Sequence, residues 1–149
     1  MKLAIASDHA GYEEKEKIKA SLEKLGVDYT DMGTNSTASV DYPDYARKVG
    51  EAVAAGEFDL GMLICGSGTG MAISANKVPG IRAAVAWNEE IARLAKEHNN
   101  VNVLSLAARY TSPEENERIV QAWLNASFDD GRHAGRVAKI GQLEEDAKR

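Results

Sequence analysis

Cys65 is the only thiol in the chain, and it stands at the exit of an apolar run, directly before a loop of alternating glycines: LICGSGTGM, residues 63–71. A structural cysteine usually sits inside such a run as a small hydrophobe. Here Gly66, Gly68 and Gly70, with Ser67 and Thr69 between them, let the backbone turn sharply and present N–H groups to an anion. A helix starting after the loop would add its positive end. A thiol in that setting is biased toward thiolate, and a partly ionised thiol can serve as nucleophile or base. The spacing is G-x-G-x-G, not the dinucleotide G-x-G-x-x-G, and no Walker lysine follows. A tight strand-to-helix turn without a ligand is therefore the plain alternative. A cysteine phosphatase would need C-x5-R, but Met71 stands at the arginine position, which disfavours that chemistry.

Other candidates flank this loop. Asp8 and His9 follow the first apolar run. His98 closes a helical pattern in line with Ile91, Leu94 and Ala95, so a half-buried core histidine is as good a reading as a catalytic one. Asn99 and Asn100 come next, a position that reads as the ligand-side end of the last strand. Arg132 and Arg136 are four apart and project from one helical face. With Arg109 they could grip a phosphate dianion bidentately, although such a pair more commonly marks a solvated face.

These residues are carried by alternating strand and helix patterns. Strands are expected at 2–7, 27–33, 58–65, 81–87 and 101–109, and helices at 11–26, 44–56, 71–77, 88–100, 112–125 and 131–149. Ile18, Leu22 and Leu25 form the apolar face of the first helix. Asn88 and Ser112 are placed as N-caps, with Pro113 at the first helical position and Glu115 closing a capping box. Residues 34–43 read as a small-polar loop. Short connections between such elements predict an α/β fold of three α/β/α layers: a Rossmann-like, five-stranded parallel sheet with a C-terminal helix. The expected strand order is 2-1-3-4-5. Ligands in such sheets bind beyond the carboxyl ends of the strands, where the order reverses, here between strands 1 and 3. Asp8-His9 and the Cys65 loop both fall at that crevice.

Composition narrows the classes. With 149 residues the chain has the length of one domain. One cysteine excludes an internal disulfide, and no Cys/His cluster offers a structural zinc site. Eighteen basic and 23 acidic side chains give a net charge of −5, which argues against nucleic-acid binding. No run approaches a membrane span, and Asp8 and His9 break the opening apolar run before it could form a signal-peptide core. The expectation is a cytoplasmic protein.

Taken together, SDHAG (7–11), GT (33–34), DYP (41–43), ICGSGTGM (64–71), ANKVPGIRAA (75–84), HNNVNVL (98–104), AAR (107–109) and GRHAGRV (131–137) resemble type B ribose-5-phosphate isomerase, a family that also includes galactose-6-phosphate isomerase subunits. The resemblance covers residues 2 to about 140. It implies an aldose–ketose isomerase of the pentose phosphate pathway, working through a cis-enediolate without metal or cofactor, as a homodimer with shared active sites or as a tetramer. By this likeness Cys65 moves the proton between C1 and C2, and His98 opens the furanose ring. The amides of Gly66 through Gly70 hold the enediolate charge. Asp8, His9, Tyr42 and Asn99 line the sugar site, and His9, Arg109, Arg132 and Arg136 take the phosphate, some of them from the second subunit.

Two departures stand out. Ser67 replaces a threonine common in relatives and keeps the hydroxyl. Ala6 and Ser7 precede Asp8 where relatives often carry a cysteine, leaving Cys65 as the sole thiol. His98 favours ribose 5-phosphate over galactose 6-phosphate, since galactose-6-phosphate isomerase subunits generally lack a histidine there. Allose 6-phosphate is an alternative substrate. From another class, a flavodoxin-like phosphate- or nucleotide-binding module would use the glycine loop but not the thiol.

Overall fold

The structure, a computed structural model, describes residues 1–148. Five parallel strands form one sheet: β1 (Lys2–Ser7), β2 (Asp28–Asp31), β3 (Leu60–Cys65), β4 (Ala83–Val85) and β5 (Val103–Ala107). Helices α1 (Tyr12–Lys24), α2 (Tyr42–Ala54), α3 (Thr69–Ala75), α4 (Glu89–Asn99), α5 (Pro113–Asn125) and α6 (Gly131–Ala147) complete the chain. The parallel α/β architecture with a C-terminal helix is as the sequence predicts.

The strand order differs from expectation. It is β2-β1-β3-β5-β4, so the last two strands exchange places. Burial gives the reason. β5 is buried along its whole length, whereas β4 is a three-residue strand with every residue half-exposed. The more apolar strand takes the inner position, which must be covered on both faces, and the short one takes the edge. The reversal between β1 and β3 is unaffected, but β5 now lies directly against β3.

Alternation along the strands divides the core in two. Leu3, Ile5, Met62, Ile64, Leu104 and Leu106 face Ile18, Leu22, Ala92, Ile119 and Trp123, from α1, α4 and α5. Ala4, Ala6, Leu63, Cys65 and Val103 face Ala46, Val49, Met71 and Ala75, from α2 and α3. The alanines of β1 let α2 pack close. Leu25, expected on the buried face of α1, caps that helix instead and is 46 % exposed.

Asn88 and Ser112 cap α4 and α5, accepting from the amides of Ile91 and Glu115. The return half of the predicted capping box does not form, because the Glu115 carboxylate pairs with Arg118. α2 starts two residues before the predicted boundary, so Tyr42 sits in its first turn. α6 packs only against α4 among its principal neighbours and leaves Ile140 and Leu143 exposed.

Candidate active site

At the carboxyl edge of the sheet a cleft of about 340 Å³ opens between the ends of β1, β3 and β5. Asp8, His9, Tyr42, Cys65, Gly66, Ser67, Gly70 and Arg109 line it. All eight are sequence candidates, and the parallel sheet brings them together from positions 8 to 109. Oδ1 of the Asp8 carboxylate accepts from the Gly11 amide at 3.0 Å and so holds the turn into α1. His9 Nδ1 accepts from the Val40 amide at 3.2 Å. That bond assigns the proton of a neutral ring to Nε2, leaving a donor for a ligand. Behind this edge, Lys15 is fully buried and bonds both Asp31 and the Thr34 carbonyl. Burial alone would raise the Asp31 carboxyl, but hydrogen bonds from Lys15 and Lys19 hold it below the usual range. This clamp holds the segment that pairs with Ser7, next to Asp8.

Each glycine of the loop has its own task. Arg109 runs beside Gly66, because β5 neighbours β3 and the amides of Ala108 and Arg109 bond the carbonyls of Cys65 and Gly66. Gly68 has φ +80° and donates its amide to Cys65 Sγ at 3.2 Å. An N–H aimed at sulfur interacts more strongly with a thiolate than with a thiol. Gly70 lies under the Tyr42 ring: a Cβ there would stand 2.5 Å from Cε1 and 2.8 Å from Cζ. The Thr69 amide bonds Ser67 Oγ at 3.3 Å. Neither Gly68 nor Thr69 lines the cleft. Of the five loop amides, two are therefore engaged internally, and those of Gly66, Ser67 and Gly70 have no acceptor among the described residues.

The other four candidates lie elsewhere. His98 and Asn99 end α4, just ahead of β5, and thus sit at the amino edge of the sheet. The expectation that Asn99 stands on the ligand side is wrong: a helix that leaves the carboxyl edge after one strand ends at the amino edge before the next. Asn99 opens instead onto a groove of about 690 Å³ between β4 and α6. Arg132 and Arg136, both exposed, flank His133 on α6. The His98 and His133 rings stack with centroids 4.3 Å apart and planes 14° from parallel. His133 is held below the ordinary imidazole range, first by burial and then by the positive field of His98, Arg132 and Arg136.

His98, Asp129 and His133 bring ligand atoms within 4.8 Å of one another. Near-parallel stacked rings direct their in-plane lone pairs alongside each other, not at a shared point. Arg132 and Arg136 add positive charge beside them. The cluster suits an anion better than a cation.

Sequence reasoning missed Ala10 and Tyr110, which complete the cleft wall. Tyr110 is 79 % exposed, and an aromatic directly after Arg109 at a strand end was the available signal. It also left His133 unassigned, although that residue lies between the two arginines.

The chain is also similar, over nearly its whole length, to known proteins. The family described as Ribose/Galactose Isomerase matches residues 3–140. Ribose-5-phosphate isomerase B of Escherichia coli is 45% identical over 144 residues, 97% of either chain. The structure of Clostridium thermocellum ribose-5-phosphate isomerase B superposes with a TM-score of 0.98 at 50% identity, covering 99% of this chain and 100% of that one. That of ribose-5-phosphate isomerase B from Mycoplasma genitalium, with bound ribulose-5-phosphate, gives 0.94 at 41% identity over 98% and 97%.

Proposed function

The chain belongs to the ribose/galactose isomerase family, and from that membership we propose that it interconverts ribose 5-phosphate and ribulose 5-phosphate. It is an aldose–ketose isomerase, and its whole length, 1–149, reads as one sugar-phosphate isomerase domain. One observation carries the assignment of chemistry: the sole thiol, with a loop amide on its sulfur, opens into a cleft shared with His9 and Arg109.

Cys65 takes the C2 proton of the open-chain aldose and delivers a proton to C1, while the O2 hydroxyl proton of the enediolate passes to O1. A carbon acid of this kind needs its developing oxyanion stabilised, and one preorganised donor is worth about 10²–10³ in rate. The unengaged amides of Gly66, Ser67 and Gly70 supply such donors. Gly68 and Thr69 act one step back, on the thiol and on the loop. His9 and Arg109 hold polar groups of the substrate, and Tyr42 packs on the sugar.

His98, Asn99, Arg132 and Arg136 reach this chemistry from a second copy of the chain. Within one copy they sit at the opposite sheet edge, and exposed Ile140 and Leu143 leave α6 with an apolar face to bury. In the dimer, His98 opens the furanose ring and the arginines complete the phosphate grip. A phosphorylated sugar substrate is consistent with a cytoplasmic enzyme, and no helix of the described chain is long and apolar enough to cross a membrane.

A coupled assay with ribose 5-phosphate, allose 6-phosphate and galactose 6-phosphate, in the presence of EDTA, tests the reading. Ribose 5-phosphate is expected to give the highest kcat/KM. Preference for either hexose phosphate would reassign the substrate, and activity lost with EDTA would reject the metal-free mechanism.

A further inference from the structure

β5 reads Val-Leu-Ser-Leu-Ala: one hydroxyl in an otherwise apolar strand, and fully buried. Leu104 and Leu106 face α1, α4 and α5, so alternation turns Ser105 toward α3 and the underside of the glycine loop. Its hydroxyl donates to the Gly68 carbonyl at 2.6 Å. Gly68 is pressed onto β5 at this point. A Cβ there would stand 3.2 Å from the Leu106 carbonyl and 3.3 Å from Ser105 Oγ. The same glycine, at φ +80°, gives its amide to Cys65 Sγ.

From this relay we propose that Ser105 is a positioning residue for the Cys65 thiol. Its hydrogen bond pins Gly68 in the left-handed conformation that aims the Gly68 amide at sulfur. Glycine has more backbone freedom than any other residue, so a loop that must hold one N–H on one atom needs a tether. Ser105 does not line the cleft and acts only through Gly68. The Gly68 carbonyl also accepts from the Ala72 amide at 3.1 Å, as the cap of α3; without the hydroxyl that bond alone holds it, and its tie to β5 is lost. The loop then gains freedom to shift relative to β5 about the start of α3, and the amide leaves the sulfur.

The kinetic consequence rests on Cys65 being the base, as proposed above; the chemical consequence for the thiol does not. Because Cys65 is the sole cysteine, alkylation by iodoacetamide reports on it alone. In Ser105→Ala, the alkylation rate at neutral pH is expected to fall several-fold. In strongly alkaline buffer, where any thiol is ionised, it is expected to match the parent. kcat should fall with KM for ribose 5-phosphate little changed, and Ser105→Thr, which keeps the hydroxyl, should restore both readouts. Unchanged neutral alkylation in a folded Ser105→Ala variant would overturn the proposal. Slowed alkylation with unchanged turnover would uphold the positioning role and remove Cys65 as the base. Should Ser105→Ala fail to fold, hydrogen exchange on the unaltered protein decides: the Gly68 amide is expected to exchange more slowly than that of Ser67, and equal exchange would contradict the tether.

Discussion

Cys65 and His98 stand at opposite edges of one sheet. Cys65 closes the carboxyl end of β3, while His98 ends α4 ahead of Val103, the first residue of β5, which pairs with Gly61 at the amino end of β3. Four residue steps along the strand separate Gly61 from Cys65, about 13 Å at 3.3 Å per residue. A reaction that needs both side chains on one sugar needs two chains.

That geometry makes mixing informative. Cys65→Ala and His98→Ala should each be inactive as homodimers. Refolded together in equal amounts, they should recover about a quarter of parental activity, since half the dimers are mixed and each carries one intact site. Activity in the assay checks this, with sedimentation confirming dimers. No recovery from well-folded mixed dimers would place both side chains in the same chain's site or remove one from the reaction.

Tyr42 is seated by the absence of a side chain at Gly70. In Gly70→Ala the new Cβ displaces the ring, and if Tyr42 packs on the sugar as proposed, misplacing it is expected to cost about tenfold to a hundredfold in kcat/KM. In a Tyr42→Ala background the same change should cost little, because the clash is gone. Additive losses in the double variant would show that Gly70 acts independently of Tyr42.

Lys96 is a buried ammonium with no carboxylate partner among the described residues, 4.3 Å above the Trp123 ring centroid. Burial pushes its pKa down from 10.5 to about 8. Between those values the unfolded chain holds the proton and the folded chain does not, so this residue makes stability rise with pH above about 8. Denaturant unfolding at several alkaline pH values should show that rise in the parent and a weaker one in Lys96→Met. Identical pH slopes in the two proteins would mean that Lys96 keeps its proton in the fold.

Periodicity and caps were enough to place every element, because amphipathic spacing and the Asn88 and Ser112 caps are local signals. The exchange of β4 and β5 was not local. Residues 81–87 are as apolar in letters as a central strand, yet only Ala83–Val85 pair, and position in the sheet is decided by how crossover helices pack. Eight candidates gathered in the cleft because all follow or line the carboxyl ends of strands. Asn99 was misplaced by one reversal of direction. Ser105 was passed over because, without the turn above it, a serine in an apolar strand carries no sign of its partner.

The central claim is that the Cys65 sulfur moves the proton, and exchange of the C2 hydrogen of ribose 5-phosphate with solvent measures that step itself. In Cys65→Ala this exchange and net isomerisation should fall together, by about 10²–10⁴-fold, while the phosphorylated sugar still binds. Exchange at the parental rate in that variant would contradict the account.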